Sequence, residues 1–134
     1  MNDAQVLLRE VYRGWDDQHT SLVRTLERLD NTHLSLTAGE GQRNVGELFG
    51  HIIGGRINWL HRVLGLGHSD LEAALDGWAL RPGMDRDQAA LMAWLHRSWE
   101  PAQQALDEWT VGDLTVTLDL PHEGQVYRVP RQWV

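Results

Sequence analysis

Cysteine and lysine are both absent from the sequence, and each absence excludes a class of chemistry. Without cysteine there are no disulfides, thiolate metal ligands or cysteine nucleophiles. Without lysine there is no Schiff-base chemistry and no P-loop lysine. All 12 basic residues are arginine, and the 19 acidic residues give a net charge of −7 at pH 7. This acidic balance disfavours nucleic acid as a partner, because phosphates need a basic surface.

Long apolar runs are also missing from the sequence. No stretch approaches the roughly 20 residues needed to cross a bilayer. Residues 1–5 lack the basic and apolar regions of a signal peptide. We therefore predict a cytoplasmic protein with no membrane partner, in which residues 1–134 form a single domain.

Three long helices are predicted from apolar residues at spacings of three, four or seven, which indicates an all-α fold. These helices cover about residues 3–29, 45–64 and 86–109. A capping box at residues 69–72 predicts a short connecting helix. The seven tryptophans are interpreted mainly as large core residues. The alternative is a pocket that is lined by one or two of them.

The second predicted helix contains four glycines, at Gly46, Gly50, Gly54 and Gly55. Each glycine in a helix costs up to about 1 kcal/mol relative to alanine. One explanation is a close approach of another backbone, or room that is kept for a ligand. The other is a poor helix former that is rescued by packing. The sequence leaves both explanations open.

After Thr110 the apolar period changes to two, which predicts a β-hairpin near residues 114–129. A four-residue turn at residues 121–124 would join its strands. Pro130 suits the first position of a fourth helix, of which residues 131–134 would be the first turn. The fourth helix is thus only begun, and the three long helices would leave an apolar groove open.

His51 is the strongest candidate for a metal ligand among the seven histidines. It lies beside the apolar stripe of the second helix, and a neutral imidazole inside a bundle is a good ligand. From the residues alone, a core-edge histidine with an ordinary hydrogen bond is the preferred interpretation. His19, Trp15 and Asn58 are candidate pocket residues. For His19 and Asn58 the plainer alternatives are a partly exposed histidine and a surface asparagine.

Several segments together resemble the DinB/YfiT-like superfamily. The most distinctive are residues 44–51 (NVGELFGH) and residues 59–65 (WLHRVLG). Trp15 in the first helix, residues 26–29 at its end and the late hairpin are also similar, so the resemblance covers essentially the whole chain. It implies a four-helix bundle with a long crossover, often a homodimer, that binds a divalent metal through three histidines.

Within this resemblance, His51 matches the metal-ligating histidine of the second helix. The other two ligands would come from a His-x-x-x-His pair on the fourth helix. Residues 1–134 contain no such pair. Either the sequence is part of a longer chain, which we favour, or the metal site has been lost. Zinc, nickel and iron all suit nitrogen ligands, so the identity of the metal stays open.

The resemblance leads to two hypotheses about function. The first is a divalent-metal-dependent enzyme, such as a hydrolase or a thiol transferase that attaches a low-molecular-weight thiol to a small electrophile. The metal would lower the pKa of a bound thiol or water, and the thiol substrate would supply the sulfur. The alternative is a non-catalytic, stress-associated bundle that acts as a binding or dimerisation module, with a partner helix in its groove.

Overall fold

Helices form most of the backbone in the computed structural model, which describes residues 2–134. The α-helices are α1 (Leu8–Val11), α2 (Gly14–Glu27), α3 (Asn31–Leu34), α4 (Val45–Arg56) and α5 (Gln88–Glu108). A π-helix (Ile57–Val63) continues α4, and 3-10 helices lie at Asp3–Gln5, Ser69–Ala74, Val111–Thr115 and Arg131–Trp133. Antiparallel hairpins pair β1 (Leu75–Asp76) with β2 (Ala79–Leu80) and β3 (Thr117–His122) with β4 (Gln125–Pro130).

This architecture confirms the prediction that the fold is mostly helical. Within residues 2–134, no helix combines the length and the apolarity that crossing a membrane requires.

The prediction of one continuous helix over residues 3–29 is wrong. The structure divides this region into a 3-10 helix, α1 and α2. At the first break the backbone pairs with the chain that follows α5. The Leu8 N–H donates to the Trp109 carbonyl at 2.9 Å, and the Val111 N–H donates to the Val6 carbonyl at 2.8 Å. Because these groups are satisfied by distant residues, tertiary pairing replaces the helix that the apolar period predicted.

The helix predicted over residues 45–64 is confirmed, but its winding changes at Ile57. Asn44 caps α4, since its Oδ1 accepts from the Glu47 N–H at 2.7 Å while Glu47 Oε1 accepts from the Asn44 N–H at 3.3 Å. After Arg56 the chain follows a π-helix, a rare form that is frequent at functional sites. Side chains beyond Arg56 therefore lie at different angles from those of a continuous α-helix.

The main core lies between α2, α4, α5 and the β1–β2 hairpin. Its buried members are Leu26, Leu34, Phe49, Ile53, Ile57, Leu71, Ala74, Leu75, Leu80, Leu91 and Leu95. Each fully buried large apolar side chain stabilises the fold by about 1.5–3 kcal/mol. This core fixes the positions of the three longest helices relative to one another.

The glycines of α4 differ in what surrounds the position of a Cβ atom. A Cβ atom on Gly54 would lie 2.5 Å from the Trp78 carbonyl oxygen and 2.6 Å from Ala79 Cα, so only glycine allows this hairpin to approach α4. Built Cβ atoms on Gly50 and Gly55, by contrast, would meet nothing within 4 Å. Close backbone approach therefore explains Gly54, whereas Gly50 and Gly55 have no neighbour that would exclude a Cβ atom.

The short connecting helix is confirmed as the 3-10 helix Ser69–Ala74, but its capping residue differs from the prediction. The side chain of His68, rather than that of Ser69, caps it by accepting from the Asp70 N–H at 3.2 Å.

The predicted β-hairpin is confirmed with a shorter turn. His122 pairs with Gln125, so only Glu123 and Gly124 form the turn. Both have positive φ angles, 49° and 77°, as a two-residue type I′ turn requires. Residues 114 and 115, predicted as strand, belong instead to the 3-10 helix Val111–Thr115.

Candidate functional site

His51 lies exposed on α4, on the face that also carries Gly55 one turn later. Leu48, one turn earlier, is 47% exposed. Within residues 2–134, no three His, Cys, Asp or Glu side chains come together in a group that could hold a metal ion. The described residues therefore supply one candidate ligand, and by themselves they do not fit a divalent-metal site.

A cleft of about 520 Å³ opens between α2, α4 and α5, beside the exposed face of α4. Three indole rings line it, from Trp15, Trp59 and Trp99, and its polar side chains are Gln18 and Arg56. We refer to it as the tryptophan cleft. Its size is in the range of small-molecule sites, which are typically apolar with a few polar groups.

His19 contacts two of the residues that line the tryptophan cleft, Arg56 and Trp99. Its ring is stacked on the Trp99 ring, with the centroids 4.7 Å apart and the planes 4° apart. Arg56 Nη1 lies 3.3 Å from His19 Nδ1 and donates to the Leu95 carbonyl at 3.1 Å. Because a guanidinium can only donate, His19 accepts at Nδ1 and carries its proton on Nε2.

The surroundings of His19 keep its ring neutral. Burial, together with the positive charge of Arg56, lowers the pKa of His19 to about 4. Burial also lowers the pKa of Arg56 to about 10, so this guanidinium stays charged at neutral pH. The interpretation of His19 as a partly exposed residue is wrong, since only 9% of it is exposed. His96 is exposed, and its ring meets that of His19 edge-on with the centroids 5.4 Å apart.

Asn58 is buried, with 6% exposed, so its interpretation as a surface residue is wrong. It lies in the π-helix and lines a second cleft of about 540 Å³ beside the β3–β4 hairpin. Trp78 and Asp119 also line this second cleft. Trp59 borders both clefts and meets Trp78 edge-on at 5.0 Å. The structure therefore places Asn58 in a different cleft from the one that Trp15 and Arg56 line.

The interpretation of the tryptophans as core residues is wrong for several of them. Only 9% of Trp99 is exposed, whereas the exposed fractions of Trp15, Trp78 and Trp133 are 40%, 52% and 72%. The alternative of a pocket that tryptophans line agrees better with the positions of Trp15, Trp59 and Trp99 around one cleft.

Arg56 was not selected from the sequence, although an arginine next to the apolar stripe of a helix is a signal that could have identified it.

Comparison with known proteins identifies the family. The family model of the DinB superfamily matches residues 14–134, which is most of the chain. No curated protein and no solved structure gives a significant match. The mostly helical fold agrees with the family match. This chain therefore belongs to the DinB superfamily.

Proposed function

We propose that this protein is a divalent-metal-dependent enzyme of the DinB-like class, with His51 as one metal ligand and the tryptophan cleft as the substrate site. The observation that carries the proposal is the shared face of α4. Gly55, one turn after His51 on the same face, lines the cleft. A metal held by His51 would therefore lie on the side of α4 that borders the cleft.

The state of His51 supports this role. The histidines that form hydrogen bonds within residues 2–134 are His19, His33, His61 and His68. His51 is not among them, and its exposed ring retains both nitrogens for another partner. The alternative of a core-edge histidine that is satisfied by a neighbouring group has no support in these contacts.

The remaining metal ligands would come from outside the described residues. In this proposal α2, α4 and α5 are three helices of a DinB-like four-helix bundle, which works in the cytoplasm as a homodimer. The further ligands would be a pair of histidines one turn apart on the fourth helix, because that spacing places both rings on one face. The metal would be zinc, nickel or iron.

Within this class we propose transfer of a low-molecular-weight thiol to a small electrophile. The chain has no cysteine of its own, so both reacting groups would belong to substrates. The tryptophan cleft would bind the electrophile, since its indole rings exclude water from an apolar group.

Metal analysis of the natural full-length protein tests the proposal. Protein purified without chelators should contain about one divalent ion per chain, measured by inductively coupled plasma mass spectrometry. His51→Ala should lose the ion. His96→Ala, which removes another exposed helical histidine, should retain it.

Two results would overturn the metal-dependent function. One is a wild-type protein that contains no divalent metal and gains none on titration, and the other is a His51→Ala variant that keeps its metal. In the first case the non-catalytic binding module becomes the remaining hypothesis.

A further inference from the structure

Arg56 is a half-buried cation without a carboxylate partner among residues 2–134. Arg9 and Arg62 show the usual arrangement, since each pairs with an aspartate or glutamate at 2.8 Å or less. A charge that is partly removed from water is unfavourable unless an opposite charge compensates it. Arg56 is therefore suited to an anion that the described chain does not itself provide.

One edge of the Arg56 guanidinium is free. Nη1 is occupied by the Leu95 carbonyl at 3.1 Å and by His19 Nδ1 at 3.3 Å. Nε and Nη2 of Arg56 have no acceptor within the described residues. Both atoms keep some contact with solvent, because Arg86 Nε is the only fully buried side-chain nitrogen or oxygen among these residues that lacks a partner. The Nε–Nη2 edge is the fork that receives both oxygens of a carboxylate. His19 and the Leu95 carbonyl hold this fork in place before any ligand arrives.

The rest of the tryptophan cleft suits an apolar ligand body. The exposed or half-buried rings of Trp15 and Trp59 provide apolar surfaces, while Trp99 forms a buried wall that His19 and Arg56 cover. No aspartate or glutamate among residues 2–134 lines the cleft. Arg56 is the only charged side chain among its described lining residues. Among the side chains of residues 2–134 that line the cleft, Arg56 is therefore one positive group in a mainly apolar setting.

We propose that the tryptophan cleft binds a small carboxylate, whose two oxygens pair with the Nε–Nη2 edge of Arg56 and whose planar apolar body lies against the rings of Trp15 and Trp59. The anion would compensate the charge of Arg56. This inference names the substrate class of the proposed enzyme and rests on the proposed function in that respect. The binding itself does not require a metal.

Calorimetric titration of the natural full-length protein tests the inference with two probes of the same shape, 2-naphthoate and the neutral 2-naphthamide. Charge-assisted bidentate hydrogen bonds should make the carboxylate bind about tenfold or more tightly than the amide. Arg56→Gln should abolish this preference. Arg56→Lys should retain only part of it, because lysine keeps the charge but lacks the fork. Arg43→Gln makes the same change of charge at an exposed loop residue and should leave both affinities unchanged.

The inference is wrong if wild-type protein binds neither probe or binds both equally. This comparison uses the wild-type protein alone, so it does not depend on whether a variant folds. It is also wrong if a folded Arg56→Gln protein retains the preference. The two proposals can fail independently of each other. His51→Ala should lose the metal and keep the carboxylate preference, whereas Arg56→Gln should keep the metal and lose the preference. A preference that disappears in His51→Ala and persists in Arg56→Gln would place the carboxylate on the metal and overturn the inference.

Discussion

The two faces of α4 differ in how closely the rest of the protein packs against them, and glycine has a different role on each. On the inner face, Ile53 is fully buried and Gly54 lies against the backbone of the β1–β2 hairpin. On the outer face, His51 is exposed and Gly55 borders the tryptophan cleft. Gly54 and Gly55 are adjacent and chemically identical, yet only the first requires the absence of a Cβ atom. The difference shows that, within residues 2–134, the inner face of α4 is packed against the β1–β2 hairpin while a Cβ atom on Gly55 of the outer face would meet no neighbouring side chain or backbone within 4 Å.

The largest difference in the free energy of unfolding is expected when an apolar side chain is truncated on each face. Ile53→Ala should lower the free energy of unfolding by about 4 kcal/mol, because it leaves a cavity in a fully buried site. Leu48→Ala, at a position that is 47% exposed, should change it by less than about 0.5 kcal/mol. Urea denaturation of both variants measures these values. A comparable loss for Leu48→Ala would show that the outer face is covered in the folded protein.

The next largest effect is expected at Gly54. Gly54→Ala should destabilise the protein by about 3 kcal/mol, since the new Cβ would meet the backbone at Trp78 and Ala79 rather than a flexible side chain. Thermal denaturation followed by circular dichroism measures the loss. An unchanged melting temperature would mean that the β1–β2 hairpin does not pack against α4 in solution.

A smaller effect is expected from pH through His19. Its pKa is lowered to about 4 in the folded protein, against 6.5 when unperturbed. Between these values the unfolded chain binds a proton that the folded chain does not. The free energy of unfolding should therefore fall by about 2 kcal/mol as the pH decreases from 6.5 to 4.

His19→Gln provides the control for this pH dependence, because glutamine does not titrate. Urea titrations of both proteins at several pH values isolate the contribution of His19. Equal pH dependence of the two proteins would contradict a neutral, buried His19.

The smallest effect is expected at Gly55, and its sign is opposite to that at Gly54. Gly55→Ala should stabilise the protein by up to about 1 kcal/mol, because alanine favours a helix and the new Cβ would meet nothing within 4 Å. The same methyl group would enter the tryptophan cleft and should weaken binding of 2-naphthoate in calorimetric titration. A clear loss of stability would indicate that the outer face of α4 is packed rather than open.

Features that depend on neighbouring residues were predictable from the sequence. The capping box that joins Asn44 and Glu47 and the turn before Gln125 are of this kind. Each depends on bonds between groups a few residues apart, so the order of amino acids is sufficient to indicate it. The resemblance of residues 44–51 to the DinB/YfiT-like superfamily indicated the family, and the family match confirms it.

Features that depend on distant residues were decided only by the tertiary structure. The break near Leu8 results from backbone pairing with Trp109, about a hundred residues away, which no local period encodes. The burial of His19 depends on Trp99 in another helix, and the position of Asn58 depends on π-helical winding.

The tryptophan cleft combines a feature that the sequence indicates with features that only the tertiary structure decides. The sequence by itself determined that Arg56 lies on the helix of His51, close to an apolar stripe. Only the tertiary structure placed its guanidinium against Leu95 and His19, with one edge free and three indole rings around the cleft. The physical reason is that charge compensation is a property of the space around a group, and that space is assembled from three helices far apart in the chain.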